Sequence, residues 1–461
     1  MIIQRLFWLV SLWPSIYLIR KIVKRKDINC FDLILFFHLI YFSFCPLISN
    51  INDFRYDEIK LFEAASVDVT FEMSYVMNLF YLILVLVDVG WSNSRYAKRY
   101  NLINITFCLR HISDRFKPSN KWLIIYYILL LILSVGGFFI GTVSFIRREA
   151  DLVGNDPRVL LVGSIIDSIR VIVTIIITIY LYKRYKNKTI NLFDKISAAL
   201  FVGTMLLQSR TFQIEVIFSS LLCLYSMNKY FANRKVAITG VLLFALLYTT
   251  VFPFMQKYRE LKKWDTYLGK VNYSLIDFDV VLRVLNGEAS YYENNSSSRK
   301  LYLYSIAAKC VDVQPQYGSL TKLCVLYGIP SALYKDKPQA ASENYIEKAS
   351  GMYTDIADSI ILFSIFDYGL LMAPIVAFLI FFSLLFVWNR IIRFFNKSKY
   401  NILVNIFGLQ SVFIDSVRLE QSPDQFLGAF IRGILIILLL YFLSFILKSV
   451  WGSEQNKYIK G

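Results

Sequence analysis

Histidine is almost missing from this chain, with two in 461 residues. His38 falls within an apolar run and His111 within a basic stretch, so a catalytic site built on several histidines is excluded by count. Cysteine is scarce too, and the spacing of Cys30, Cys45, Cys108, Cys223, Cys310 and Cys324 matches no zinc pattern. Cys310 and Cys324 share one polar segment; they are either small apolar fillers or, outside a reducing compartment, a pair able to bridge. No P-loop, dinucleotide fingerprint, GxSxG or HExxH occurs, which removes the common soluble enzyme classes. There is no repeat of a solenoid's period and no soluble second domain. The first apolar run precedes its basic cluster, the reverse of a cleavable signal peptide.

What the chain has is apolar surface. Hydrophobic residues make up 56%, aromatics 16%, and the mean hydropathy is +0.51. A soluble domain stays below half apolar. Many runs reach the ~20 residues that a helix needs to cross ~30 Å of hydrocarbon. The expected fold is an all-α polytopic membrane protein of about eleven spans. They are placed near 3–19, 31–50, 69–91, 122–145, 159–182, 191–208, 212–228, 236–254, 367–389, 402–418 and 426–449. The net charge of +17 does not point to nucleic acid, because the basic residues cluster in short loops between apolar runs. Arg20–Lys26, Arg95–Lys117, Lys183–Lys188, Lys229–Lys235 and Arg390–Lys399 form one alternating set, which the positive-inside rule assigns to the cytoplasm.

That alternation leaves residues 255–360 outside, a segment far longer than an ordinary connection. Residues 1–254 then form an N-terminal bundle of about eight spans, and 361–461 a C-terminal group of about three. "LYLYSIAAKCV" and "LTKLCVLYGIP" read as short surface helices, and "ENNSSSRK" at 293–300 as a flexible turn between them. Three arginines break the charge bias by lying at the outer edge: Arg210 in "LLQSRTFQIE", Arg259 in "MQKYRELKK" and Arg418 in "DSVRLEQSPDQ". Arginine there suits a phosphate or diphosphate through its bidentate fork, or equally a structural pair with Glu215, Asp415 or Glu420. Asp167 and Arg170 lie one turn apart in the fifth run and can neutralise each other. Outer carboxylates such as Asp336, Glu343, Glu347, Asp355, Asp358, Asp367 and Glu420 are solvated loop charges or, for one of them, a general base. Outer aromatics, Tyr258 among them, serve an interfacial belt or stack on sugars.

The order of these pieces resembles a known family. An "SR" turn midway ("LQSRTFQIEVIF") is followed by a long outer loop with "YGIPSALYKDKP". Then come "SENYIEKASGMYTDIADSIILFSIFDYGLL" and "SVRLEQSPDQFLGAFIRG". This layout, over roughly residues 195–440, resembles the O-antigen or oligosaccharide repeat-unit polymerases (Wzy-like), including capsule and enterobacterial common antigen relatives. Pro330, Lys337, Pro338, Asn344, Tyr345 and Gly369 fit the family's loop pattern, whereas Ser331 and "YKD" depart from it. The resemblance implies a GT-C-like, lipid-donor glycosyltransferase in a bacterial inner membrane with its site facing the periplasm. Its substrates would be glycans on undecaprenyl diphosphate, with a chain-length regulator and a flippase as candidate partners. Arg210, Arg259, Arg418, Asp358 and Glu420 are the catalytic candidates; Lys257, Tyr258, Lys337, Asn344 and Tyr345 are the substrate-binding candidates. No metal or cofactor is required by this reading. An O-antigen ligase shares the layout but is expected to use an outer histidine, which is missing here. A flippase is expected to show two similar halves and short outer loops.

Overall fold

The computed structural model describes residues 2–24, 26–44, 47, 67–95, 103–115, 173–206, 210–227, 278–287, 315–328 and 359–395, with isolated positions at 254, 257, 258, 261, 334 and between 406 and 442. All regular structure among the described residues is helical. The helices are α1 (Ile2–Val10), α2 (Pro14–Val23), α3 (Cys30–Leu39), α4 (Val67–Asn93), α5 (Ile105–Arg115), α6 (173–186), α7 (Leu192–Leu206), α8 (Arg210–Met227), α9 (Phe278–Leu285), α10 (Ser319–Gly328), α11 (Ile360–Tyr368) and α12 (Ala373–Phe395). Among the described residues, three stretches have the length and composition to cross a membrane: Arg5–Val23, Thr70–Asn93 and Ala373–Ile391. The protein is therefore membrane-associated through apolar helices.

The chain forms two compact units. One comprises Met1–Cys108 with Asn294–Gly461, the other Leu109–Glu293. The boundary at Glu293 falls in the "ENNSSSRK" stretch, so the long polar segment is shared out between the units.

In the first unit α4 packs against α1, α3 and α12. The first span is broken into α1 and α2 at Pro14, whose missing N–H and ring cannot continue the ladder. Tight bonds take over there, Leu12 N to Leu9 O at 3.1 Å and Trp13 N to Val10 O at 3.2 Å. Polar side chains fasten the break to α4. Asn78 donates to Ser11 Oγ at 2.9 Å and accepts from Trp13 Nε1 at 2.9 Å. Such bonds hold membrane helices together where hydrophobicity gives no preference for a neighbour over lipid.

α3 runs into a π-helical turn, Ile40–Phe44. Tyr81 donates its hydroxyl to the carbonyl of His38 at 3.0 Å. His38 is buried beside Phe42, Phe80 and Phe381 with Nδ1 2.8 Å from Ile34 O, a core histidine. On α12, Ala373, Ala377, Phe381, Leu385 and Trp388 make the buried stripe expected of helical spacing. Gly433 is needed against Trp388, since a Cβ there would lie 2.5 Å from the indole Cη2.

The span expected at 367–389 begins six residues later, at Ala373. Gly369 takes φ +77 and ends α11. α11 is a separate helix, capped by Ser359 and buried from Ile360 to Asp367. Helices do stand where spans were expected near 31–50, 191–208 and 212–228, though over their described residues none of the three is long and apolar enough for a full crossing. The runs at 122–145, 236–254, 402–418 and 426–449 lie wholly or almost wholly outside the described residues.

Candidate functional site

The end of α12 opposite Arg390 and Arg393 carries a polar junction built on Asp367. Tyr317 (φ +45) and Gly318 (φ +91) form a tight turn that aims successive N–H groups one way. α10 starts after this turn with glycine at its cap position, so its first N–H groups have no local side chain to bond. Asp367 supplies the missing acceptor from across the fold. Its Oδ1 accepts from Gly318 N at 2.9 Å and Leu320 N at 3.3 Å; Oδ2 accepts from Thr321 N at 2.9 Å and Thr321 Oγ1 at 2.6 Å. The Asp367 carbonyl also accepts from Tyr317 N at 2.7 Å. Because the Thr321 hydroxyl donates to Asp367, Tyr368 donates its own hydroxyl to Thr321 Oγ1 at 3.2 Å. The negative charge complements the positive end of α10. The carboxylate is fully buried with four donors on it, so it is a clamp and not the general base weighed among the outer carboxylates. It fixes residues 315–321 of the long polar segment to the mouth of α12.

A second buried cluster lies where α2, α3 and α4 meet. Lys21 Nζ is 2.6 Å from Asp32 Oδ2 and 2.6 Å from Asp88 Oδ2. Tyr17 and Asn29 donate to Asp88, and Ser92 Oγ reaches it at 3.1 Å. Asn29 and Asp32 also form a capping box at the start of α3, with Asn29 N to Asp32 Oδ2 at 2.8 Å. One ammonium faces two carboxylates, and Asp32 Oδ1 has no hydrogen-bond partner.

A related device stands in the second unit, where the tyrosine bonds the capping aspartate itself, whereas Tyr17 bonds Asp88. Asn191 and Asp194 cap α7 reciprocally at 2.9 and 3.0 Å, Arg184 Nε bonds Asp194 Oδ2 at 3.1 Å, and Tyr180 donates to Asp194 Oδ1 at 3.1 Å. In each case tyrosine and the cation are four residues apart on the incoming helix: Tyr17 with Lys21, Tyr180 with Arg184. The outgoing helix starts Asn-x-Phe-Asp, at 29–32 and 191–194. The two sites lie too far apart to form a solenoid-type repeat, and their sequence signal is the recurrence of Asn-x-Phe-Asp after a basic turn.

Of the residues picked from sequence, Tyr258 is buried in an apolar cluster with Leu261, Val280 and Val284, so its ring face is taken up by packing. Lys257, next to it, is half-buried. Arg210 is the first residue of α8. Arg259, Arg418, Asp358, Glu420, Lys337, Asn344 and Tyr345 lie outside the described residues, as do Asp167 and Arg170. Among the described residues no group of His, Cys, Asp and Glu is placed to hold a metal ion. No protein-family model matches the chain, and no curated protein or solved structure was found similar to it.

Proposed function

We propose that this protein polymerises oligosaccharide repeat units carried on undecaprenyl diphosphate, as a GT-C-like glycosyltransferase of about eleven spans working at the outer face of a bacterial inner membrane. The growing chain is the donor and the terminal sugar hydroxyl of an incoming unit is the acceptor. That hydroxyl attacks the anomeric carbon, a carboxylate such as Asp358 or Glu420 takes its proton, and undecaprenyl diphosphate leaves. Arg210, Arg259 and Arg418 stabilise the charge that develops on the leaving diphosphate. Lys257, Lys337, Asn344 and Tyr345 hold sugars or phosphate.

The observation that carries the reading is the Asp367 junction. A long polar segment fastened at the membrane end of α12 is suited to roof a site and limit water there, as a transfer to a sugar hydroxyl requires. The outward arginines and the order of motifs support it. Deleting the gene in its native host is expected to leave single repeat units and no ladder of longer chains. Alanine at Arg210, Arg259 or Arg418 is expected to keep the inserted protein level and shorten the ladder, with lysine restoring it partly. Normal ladders from all three alanine variants would refute the site.

A transporter of lipid-linked oligosaccharide is the second reading. The buried Lys21–Asp32–Asp88 cluster favours it, because two carboxylates sharing one cation among membrane helices are a common proton-relay element. Loss of even single surface units on deletion would select it over the polymerase. An intact ladder left unattached would select a ligase.

A further inference from the structure

The helix α9 has two apolar faces and only one of them is used. Val280 and Val284 are buried against Tyr258 and Leu261, with Phe254 and Val281 packed on the same cluster. Phe278, Leu282 and Leu285, at i, i+4 and i+7, share another face and are 75%, 57% and 66% exposed. Asp279 and Arg283, also four apart, lie on the arc between the two faces. At ~100° per residue, Val281 closes the remaining gap, so an unbroken apolar arc covers about 200° of the helix and the charged pair takes much of the rest. A helix packed on a water-facing surface would put charges opposite its buried stripe and has no use for a second stripe of large side chains.

We propose that α9 lies in the head-group region of the bilayer and dips Phe278, Leu282 and Leu285 into the lipid. Its position against the chain supports this occupant. The apolar run at 236–254 ends at Phe254, and α9 packs on Phe254, Tyr258 and Leu261, all helical and within ~10 Å of that end along a helix. The sequence just beyond the run, "MQKYRELKKW", holds the tryptophan and basic residues typical of a membrane–water boundary. Its three lysines and one arginine against a single glutamate complement anionic lipid phosphates. The helix thus acts as a surface anchor that fixes the depth at which the polar segment leaves the membrane. This inference needs no glycan and stands apart from the polymerase reading.

The test is photocrosslinking of the full chain in vesicles of phosphatidylethanolamine and phosphatidylglycerol. p-Benzoyl-phenylalanine is placed singly at position 278, 282 or 285, and at 279 as the control. Adducts are identified by mass spectrometry on inserted protein that remains monodisperse after extraction. The expected result is phospholipid adducts from 278, 282 and 285, in several-fold excess over 279. Adducts between two copies of the chain would overturn the proposal in favour of a protein interface. Crosslinks to another segment of the same chain, or equal lipid labelling at 279, would also overturn it. If position 278 alone fails to yield inserted protein, 282 and 285 decide the matter.

Discussion

Replacing Asp367 by alanine should loosen the outer segment without unfolding the bundle. The substitution removes four acceptor contacts, two of them backbone donors at 2.9 Å and one a hydroxyl at 2.6 Å. Each hydrogen bond to a charged group contributes roughly 1.5–3 kcal/mol, and an orphaned buried donor costs about 1–3 kcal/mol. Full addition overstates the loss. Gly318 and Thr321 are only half-buried, so water can reach their N–H groups, whereas Leu320 is buried. A net cost of about 2–3 kcal/mol follows, which is roughly a 30- to 150-fold rise in the population of the opened segment. Hydrogen exchange of residues 318–328, measured on the protein in nanodiscs, reads this directly. Asp367→Asn keeps one carbonyl acceptor and the volume, so it should fall between alanine and wild type. Thr321→Val removes the hydroxyl and keeps the N–H, for about a fivefold rise. Its effect should be far from additive with Asp367→Ala, since both act on one bond. Unchanged exchange over 318–328 in Asp367→Ala at normal insertion would refute the clamp.

Lys21→Met strands two buried carboxylates and should cost about 3–5 kcal/mol, seen as a fall in inserted, monodisperse protein; adding Asp32→Asn and Asp88→Asn should recover most of it. Gly433→Ala drives a methyl to 2.5 Å from Trp388, so thermal stability in detergent should drop, and Trp388→Leu in the same chain should restore it by opening space. Gly369→Ala meets both an unfavourable φ of +77 and Pro315 Cγ at 3.1 Å; it should reproduce part of the Asp367→Ala exchange pattern over 315–328. Reporter fusions at Asn295 and Ser113 should report opposite sides of the membrane, and one compartment for both would overturn the assignment of the polar segment to the outside.

Composition and hydropathy alone determined the apolar helices seen among the described residues, because crossing hydrocarbon forces every backbone group into a helix or a closed barrel and leaves long apolar runs as a visible record. The helices at Arg5–Val23 and Thr70–Asn93 stand close to where those runs put them. The helix expected over 367–389 starts at Ala373, because Gly369 at φ +77 ends α11 first and hydropathy does not register such a break. Asp367 looked like one more loop carboxylate, and only tertiary structure brought Gly318, Leu320 and Thr321 to it from nearly fifty residues away. Lys21 likewise read as one of a row of cytoplasmic basic residues, yet it is buried between Asp32 and Asp88. Tyr258 read as an interfacial aromatic, and packing with Val280 and Val284 occupied its ring. In each case the side chain's type is local information, but its desolvation depends on which distant helix covers it, and that is decided by packing alone.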